Sequence, residues 1–197
     1  MKLLFRPVNP FYISQYFGEN KACVPLEGSK AVISCDGNNP PPGYKSLYGP
    51  QGHGAIDLPT KHGQEVYAAQ DGVVYKIDTD KKSGLDVRIE SEKHGIKFRH
   101  VYEHLMGYQV REGDTVRVGQ LIGWADNTGY SAGDHLHFQF SIWDGTDWVK
   151  TDPMPYMETM FAPDMLKMED KVLYLKEAVA KLLDNWATSL RNNQITK

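Results

Sequence analysis

The chain has 197 residues, 41% of them hydrophobic and 11% aromatic, enough to bury one sizeable core. Lys and Arg number 22 against 25 Asp and Glu, a net charge of −3 with no long basic run, which argues against nucleic acid or an anionic membrane as partner. No stretch approaches the roughly 18 apolar residues of a membrane span. The N-terminal MKLLFRPVNP loses its apolar run at Arg6 and Pro7, well short of a secretory signal, so no Sec address is expected if Met1 is the natural start.

Residues 19–52 are rich in Gly, Pro, Asn and Ser and predict a long surface loop with a short hairpin around Lys30 to Ser34. Cys23 and Cys35 lie twelve apart within it and lack the CxxC spacing of a zinc ribbon; a disulfide and two buried free thiols are both open. From Gly54 to Ile142 the pattern becomes short β-type runs: EVYAA, GVVYKID, LDVRIES, IKFRHVYE, TVRVGQLIGWA and LHFQFSI. Turn signals such as Asp71-Gly72, His94-Gly95 and Thr128-Gly129 separate them, which predicts a mainly β chain built on an antiparallel sheet or sandwich. A lipoyl- or biotinyl-type carrier would need a lysine at a hairpin tip, and GDTVRVGQLIG offers none there.

The tail differs. Met165, Met168, Val172, Leu175, Val179, Leu182 and Trp186 recur at alternating spacings of three and four, which predicts a C-terminal α-helix of some 25 residues with Asp164 as N-cap. Its narrow seam fits either docking on the parent sheet or, through residues 165–190, self-association or a partner helix. A division follows into a main domain over 1–160, carrying the 19–52 insertion, and a helical extension over 161–197.

Chemistry concentrates in two places. In the strand GDHLHFQF, alternation puts His135, His137, Gln139 and Ser141 on one face and Leu136, Phe138, Phe140 and Ile142 on the other, towards the core. In GHGAIDLP, His53 and Asp57 share a side of an extended segment. Two imidazoles and one carboxylate are a usual catalytic-zinc set, with a position left for water and enough Lewis acidity to polarise a carbonyl. The remaining histidine of HLH faces the same groove and supplies a base or an oxyanion stabiliser; the residues alone leave open which member of HLH takes the metal.

The order of motifs resembles the lysostaphin/LytM-type zinc metallopeptidases, which cut peptidoglycan cross-links on the duplicated hybrid motif fold. ISQYFGE (13–19) is similar to the family's entry strand, HGAID (53–57) to its HxxxD and YEHL (102–105) to its Tyr-x-His-Leu. PTKHGQEVYAAQDGVV (59–74) and VREGDTVRVGQLIGWADNTGYSAGDHLHFQF (110–140) resemble its following strand and its glycine-punctuated hairpin. The resemblance implies one zinc per chain held by His53, Asp57 and His137, and His104 and His135 as the uncoordinated catalytic pair. It implies peptidoglycan peptides as substrate, with small residues such as Gly or D-Ala near the scissile bond.

Around that set, His100 shares strand parity with His104 and is the alternative catalytic histidine. His62 and His94 sit at apparent turns and read as solvated. Tyr102, Tyr108, Trp124 and Tyr130 line the peptide groove or belong to the core. Asp134 and Ser131 read as turn formers, Asp134 also as a partner for an imidazole N–H. The family's small arginine-containing loop after the entry strand is replaced here by Glu19-Asn20 and the long insertion. An insertion of that kind can cover the site, with Asn20 or Asn39 at the open metal position. The alternative to an enzyme is a silent or latent relative that binds the wall or activates a partner. Delivery as a phage lysin or virion enzyme, with the heptad helix as assembly handle, fits a chain without an export signal.

Overall fold

The computed structural model describes residues 2–18 and 52–195. The expected insertion, with Cys23, Cys35, Asn20 and Asn39, lies outside the described residues but for its last position, Gly52. The strands are β1 (Leu4–Arg6), β2 (Ile56–Pro59), β3 (Glu65–Tyr67), β4 (Gly72–Asp80), β5 (Gly84–Lys93), β6 (Ile96–Tyr108), β7 (Thr115–Val116), β8 (Leu121–Ala125), β9 (His135–Trp143), β10 (Trp148–Lys150) and β11 (Met157–Phe161). One helix, α1 (Ala162–Ile195), follows. Each β-type run of the sequence becomes one of these strands, and TVRVGQLIGWA divides into β7 and β8 at its Val118-Gly119 turn.

Nine strands form one sheet along the path β10-β9-β6-β5-β4-β7, with β2 added on β9 and β8 joining β3 to β6. The pairings within it are antiparallel, as the sequence predicts; β1 and β11 pair parallel in a separate ribbon. Leu136, Phe138 and Phe140 of β9 are fully buried with Ile56, Leu58, Ile89 and Leu105. Burying side chains of this size contributes about 1.5–3 kcal/mol each and fixes which face of β9 is inward. The entry segment is a brace rather than a strand of the sheet: Gln15 makes an isolated bridge to Asp57, and the Gly18 N–H donates to the His53 carbonyl at 2.7 Å.

β6 departs from regular alternation. Its pairing with β5 takes three steps from Tyr102 to Leu105 against two from Val87 to Leu85, an inserted residue that forms a bulge. His104, at the bulge, has φ of 64°, the left-handed region that L residues rarely occupy. The bulge puts Glu103 and His104 on the same cleft, while Tyr102 and His100 stay on the core face. Tyr102 is core, its hydroxyl accepting the Ala69 N–H at 2.8 Å. His100 is therefore not the alternative groove histidine. Its ring is fully buried, stacks on Phe140 at 5.7 Å and finds no hydrogen-bond partner for either nitrogen among the described residues.

Helix α1 has 34 residues and starts before the expected Asp164 cap, which instead lies in its first turn, where a carboxylate favours the positive helix end. The helix start packs on the β7–β8 turn, where a side chain at Gly119 would collide with the Ala162 carbonyl, and Arg117 pairs with Glu169 and Asp170. Farther along, the docking expected on the parent sheet does not occur among the described residues: Met168, Val172, Leu175 and Val179 are 44–54% exposed. A heptad seam specifies a narrow apolar face without specifying what covers it.

Burial holds the His100 pKa down at about 3, below its unfolded value near 6.5. Its contribution is complete above about 6.5 and is lost as pH falls from there towards 3, because only the unfolded chain takes up the proton easily, at up to about 1.4 kcal/mol per pH unit. His100→Leu is expected to raise stability at pH 7 by about 1 kcal/mol, by removing an unsatisfied buried polar ring, and to flatten the acid limb of a pH series of chemical denaturation. An unchanged acid limb would refute this account of His100.

Candidate metal centre

The centre is assembled by the register of β9 against two neighbours. On one side β2 runs antiparallel to it, with Asp57 opposite His137 and Pro59 opposite His135; on the other, β6 places Glu103 opposite His137. His53 enters from the turn before β2, and its Nδ1–H donates to the Tyr16 carbonyl at 3.3 Å. That tautomer leaves Nε2 with a lone pair facing inward. His53 Nε2, Asp57 Oδ1 and His137 Nδ1 then lie 3.1, 2.8 and 3.2 Å apart, and all three residues are buried.

These spacings are a fit test for a shared cation. Tetrahedral ligand atoms about 2.0–2.1 Å from one ion stand about 3.3 Å apart, close to the three observed edges. The donor set is one carboxylate and two imidazoles, suited to zinc with one position open. Burial alone would raise the Asp57 pKa, but His135, His137 and His53 outweigh it and hold the carboxyl well below its ordinary value. The cluster can hold a metal.

His104 and His135 stand beside it, their rings 4.7 Å apart. His104 Nδ1–H donates to the Thr128 carbonyl at 2.7 Å, and His135 Nδ1–H to the Gly133 carbonyl at 2.8 Å. Each therefore presents Nε2 as the lone-pair nitrogen; His135 Nε2 lies 3.6 Å from Asp57 Oδ1. The structure thus brings His53, Asp57, His104, His135 and His137 into one constellation.

The remaining candidates separate. Among the described residues Asp134 makes no hydrogen bond to an imidazole; the Gly133 carbonyl and the Ser131 hydroxyl, 3.1 Å from His135 Nδ1, are the groups at that nitrogen. His62 is exposed, as expected of a turn residue, and meets Asp126 at 2.8 Å on the surface. Of the four aromatics considered for the groove, Tyr130 lines the cleft beside His104 and His137. Glu103 and Lys150 line the same cleft and carried no motif signal. Simple alternation puts Glu103 opposite in facing to His104, and nothing in YEHL announces the bulge that cancels it.

With the geometry described, the comparisons define the class. Residues 51–153, slightly more than half of the chain, match Peptidase family M23, and the chain belongs to that family. It is 34% identical over 108 residues to the glycyl-glycine endopeptidase ALE-1 of Staphylococcus capitis, covering 54% of this chain and 29% of that protein. It is 34% identical over 90 residues to the peptidoglycan DD-endopeptidase ShyC of Vibrio cholerae, covering 46% and 20%. The catalytic domain of the antimicrobial peptidase lysostaphin from Staphylococcus simulans matches in structure with a TM-score of 0.51 at 27% identity, covering 75% of this chain and 92% of that one. The aligned part is less than a third of either curated relative's length. The lysostaphin-type resemblance and the mainly β fold read from the sequence are borne out.

Burial, and then the neighbouring His135 and His137, depress the His104 pKa to about 3. In a pH series of heteronuclear NMR spectra the His104 ring should stay neutral, as the Nδ1–H tautomer, from pH 8 to 5. A midpoint near 6.5 would contradict the buried, Thr128-bound arrangement.

Proposed function

We propose that the chain is a zinc-dependent endopeptidase that hydrolyses peptide cross-links or stems of bacterial peptidoglycan, with residues 1–160 as its metallopeptidase domain and 161–197 as a helical extension. The observation that carries this is the convergence of His53 Nε2, Asp57 Oδ1 and His137 Nδ1 within 2.8–3.2 Å, with two further imidazoles beside them. Membership of the M23 peptidases and the likeness to ALE-1 and ShyC support the substrate class.

In this reading His53, Asp57 and His137 hold the metal, whose Lewis acidity polarises the scissile carbonyl and a neighbouring water. His135, the more solvent-accessible of the two remaining imidazoles, takes a proton from the attacking water on Nε2 as the oxygen bonds the carbonyl carbon. The resulting imidazolium stabilises the oxyanion and returns the proton to the leaving amine nitrogen as the C–N bond breaks. His104, kept neutral by burial, accepts the water's second O–H and orients it. The carbonyls of Thr128 and Gly133 fix both rings so that no reorientation is needed during the reaction.

His53→Ala and Asp57→Ala are expected to lose both metal and hydrolysis. His104→Ala and His135→Ala should keep one zinc and lose about 10²–10³ of kcat. The measurement is zinc stoichiometry paired with mass spectrometry of peptidoglycan digests, with and without chelator. Full activity in His104→Ala would remove the role given to that ring.

Helix α1 serves in this proposal as an assembly element, pairing with a second copy of itself. Its seam carries Val172 and Val179 at one heptad position and Leu175 at the other, a pattern suited to two-stranded coiled coils, and the described part of that seam lies exposed. Sedimentation should show a concentration-dependent dimer that Val172→Glu with Val179→Glu converts to monomer. A monomer at every concentration would overturn the pairing.

A further inference from the structure

Outside the five-residue constellation the cleft beside the centre is lined by three charged residues, Lys82, Glu103 and Lys150, of which Glu103 is the one anion. Glu103 is directly across from His137, its Oε2 3.9 Å from His137 Nε2. Lys150 is the last residue of β10, paired with Ser141 of β9. Its side chain runs over Gly54, beside His53: a Cβ added at Gly54 would lie 2.9 Å from Lys150 Cδ and 3.2 Å from Nζ. A glycine there is what lets the ammonium reach the cleft. Gln139, on the same face of β9 as His137, adds one amide donor and acceptor to the wall.

Glu103 and Lys150 share this cleft, yet no ion pair within 4.0 Å joins them, and Lys150 pairs with no other described carboxylate. Opposite charges on a common cleft that are not neutralised by each other leave two ionic half-sites with room between them. A ligand carrying an ammonium and a carboxylate on one carbon fills both; a glycine bridge fills neither.

We propose that Glu103 and Lys150 form a specificity subsite for a zwitterionic amino-acid centre, such as the free end of a diamino-dicarboxylic residue in a peptide stem, with Glu103 accepting from the ammonium and Lys150 donating to the carboxylate. The proposal deepens the peptidoglycan reading by naming which stem residue lies beside the reacting bond. Discrimination comes from leaving a charged group unpaired when the ligand lacks its counterpart.

The test is calorimetric binding to the full chain after chelator treatment, so that affinity is read without turnover. The probes are the synthetic stem tetrapeptide with a free meso-diaminopimelate end, the same peptide amidated at that carboxylate, the same peptide acetylated at that amine, and pentaglycine acetylated and amidated at its ends. Each masking should weaken binding about tenfold, and pentaglycine should bind weakest. Lys150→Met should become indifferent to amidation alone and Glu103→Gln to acetylation alone, a crossed pattern that a general loss of folding cannot produce. Equal affinity for all four probes, or equal losses across all probes in both variants, would overturn the subsite. Wall hydrolysis without this discrimination leaves the endopeptidase reading standing and removes the subsite; discrimination without hydrolysis does the reverse.

Discussion

The register of β9 between β2 and β6 is the constraint on which the site depends. Asp57, His137 and Glu103 occupy one row across three strands, and His135 sits two residues along with Pro59 as neighbour. A slip of one residue would turn His135 and His137 into the core and expose Leu136, Phe138 and Phe140. The burial of those three side chains, each fully enclosed, therefore sets the position of the imidazoles as firmly as any bond among the imidazoles themselves.

The core can hold this arrangement because the buried polar groups of the cluster are paired with one another and with backbone carbonyls. Taking His53, Asp57 and His137 out of water is costly for each group alone, and most so for the carboxylate. Asp57 is approached by three imidazoles, and the outward nitrogens of His53, His104 and His135 each donate to a backbone carbonyl. Those carbonyls belong to segments that are otherwise loops, Tyr16, Thr128 and Gly133. The loops thus select the tautomer while the strands select the position. His100 is the contrast: buried on the same strand as His104 but turned to the core, it has no hydrogen-bond partner at either nitrogen among the described residues, and burial simply keeps it neutral.

Much of this was legible in the residues. Period-two alternation in HLHFQF separates site from core, and the HxxxD spacing puts His53 and Asp57 on one side, as the 3.2 Å approach of His53 Nε2 to Asp57 Oδ1 then shows. The choice between His135 and His137 as neighbour of Asp57 Oδ1 is legible only from pairing, because both lie on the same face and differ by a single register step. Parity fails on β6 for a definite reason. Alternation assumes one residue per step, and the bulge inserts one, so simple parity gives His100 a facing it lacks and turns Glu103 away from the cleft it lines. The helix was legible as a helix, but not as one extending away from the sheet, since periodicity records a face and not its partner.

The bulge also explains how a histidine beside the cluster and its charged chain neighbour come to lie on one cleft. In a regular strand consecutive side chains face opposite ways, so a histidine next to the metal cluster cannot have its chain neighbour in the same cleft. The left-handed conformation at His104 removes that restriction at a cost of order 1 kcal/mol. Two backbone bonds offset it, His104 N–H to Ser83 at 3.0 Å and Asp126 N–H to the His104 carbonyl at 2.9 Å. Those bonds tie the bulge to the β4–β5 turn on one side and to the segment after β8 on the other, so its geometry is set by the surrounding sheet. His104 is then fixed by backbone bonds to the β4–β5 turn and the segment after β8, while Glu103, across from His137, and Lys150, on the β10 edge strand, reach the cleft without taking part in those bonds. The imidazole and the cleft's charges thus share one space while depending on different parts of the sheet.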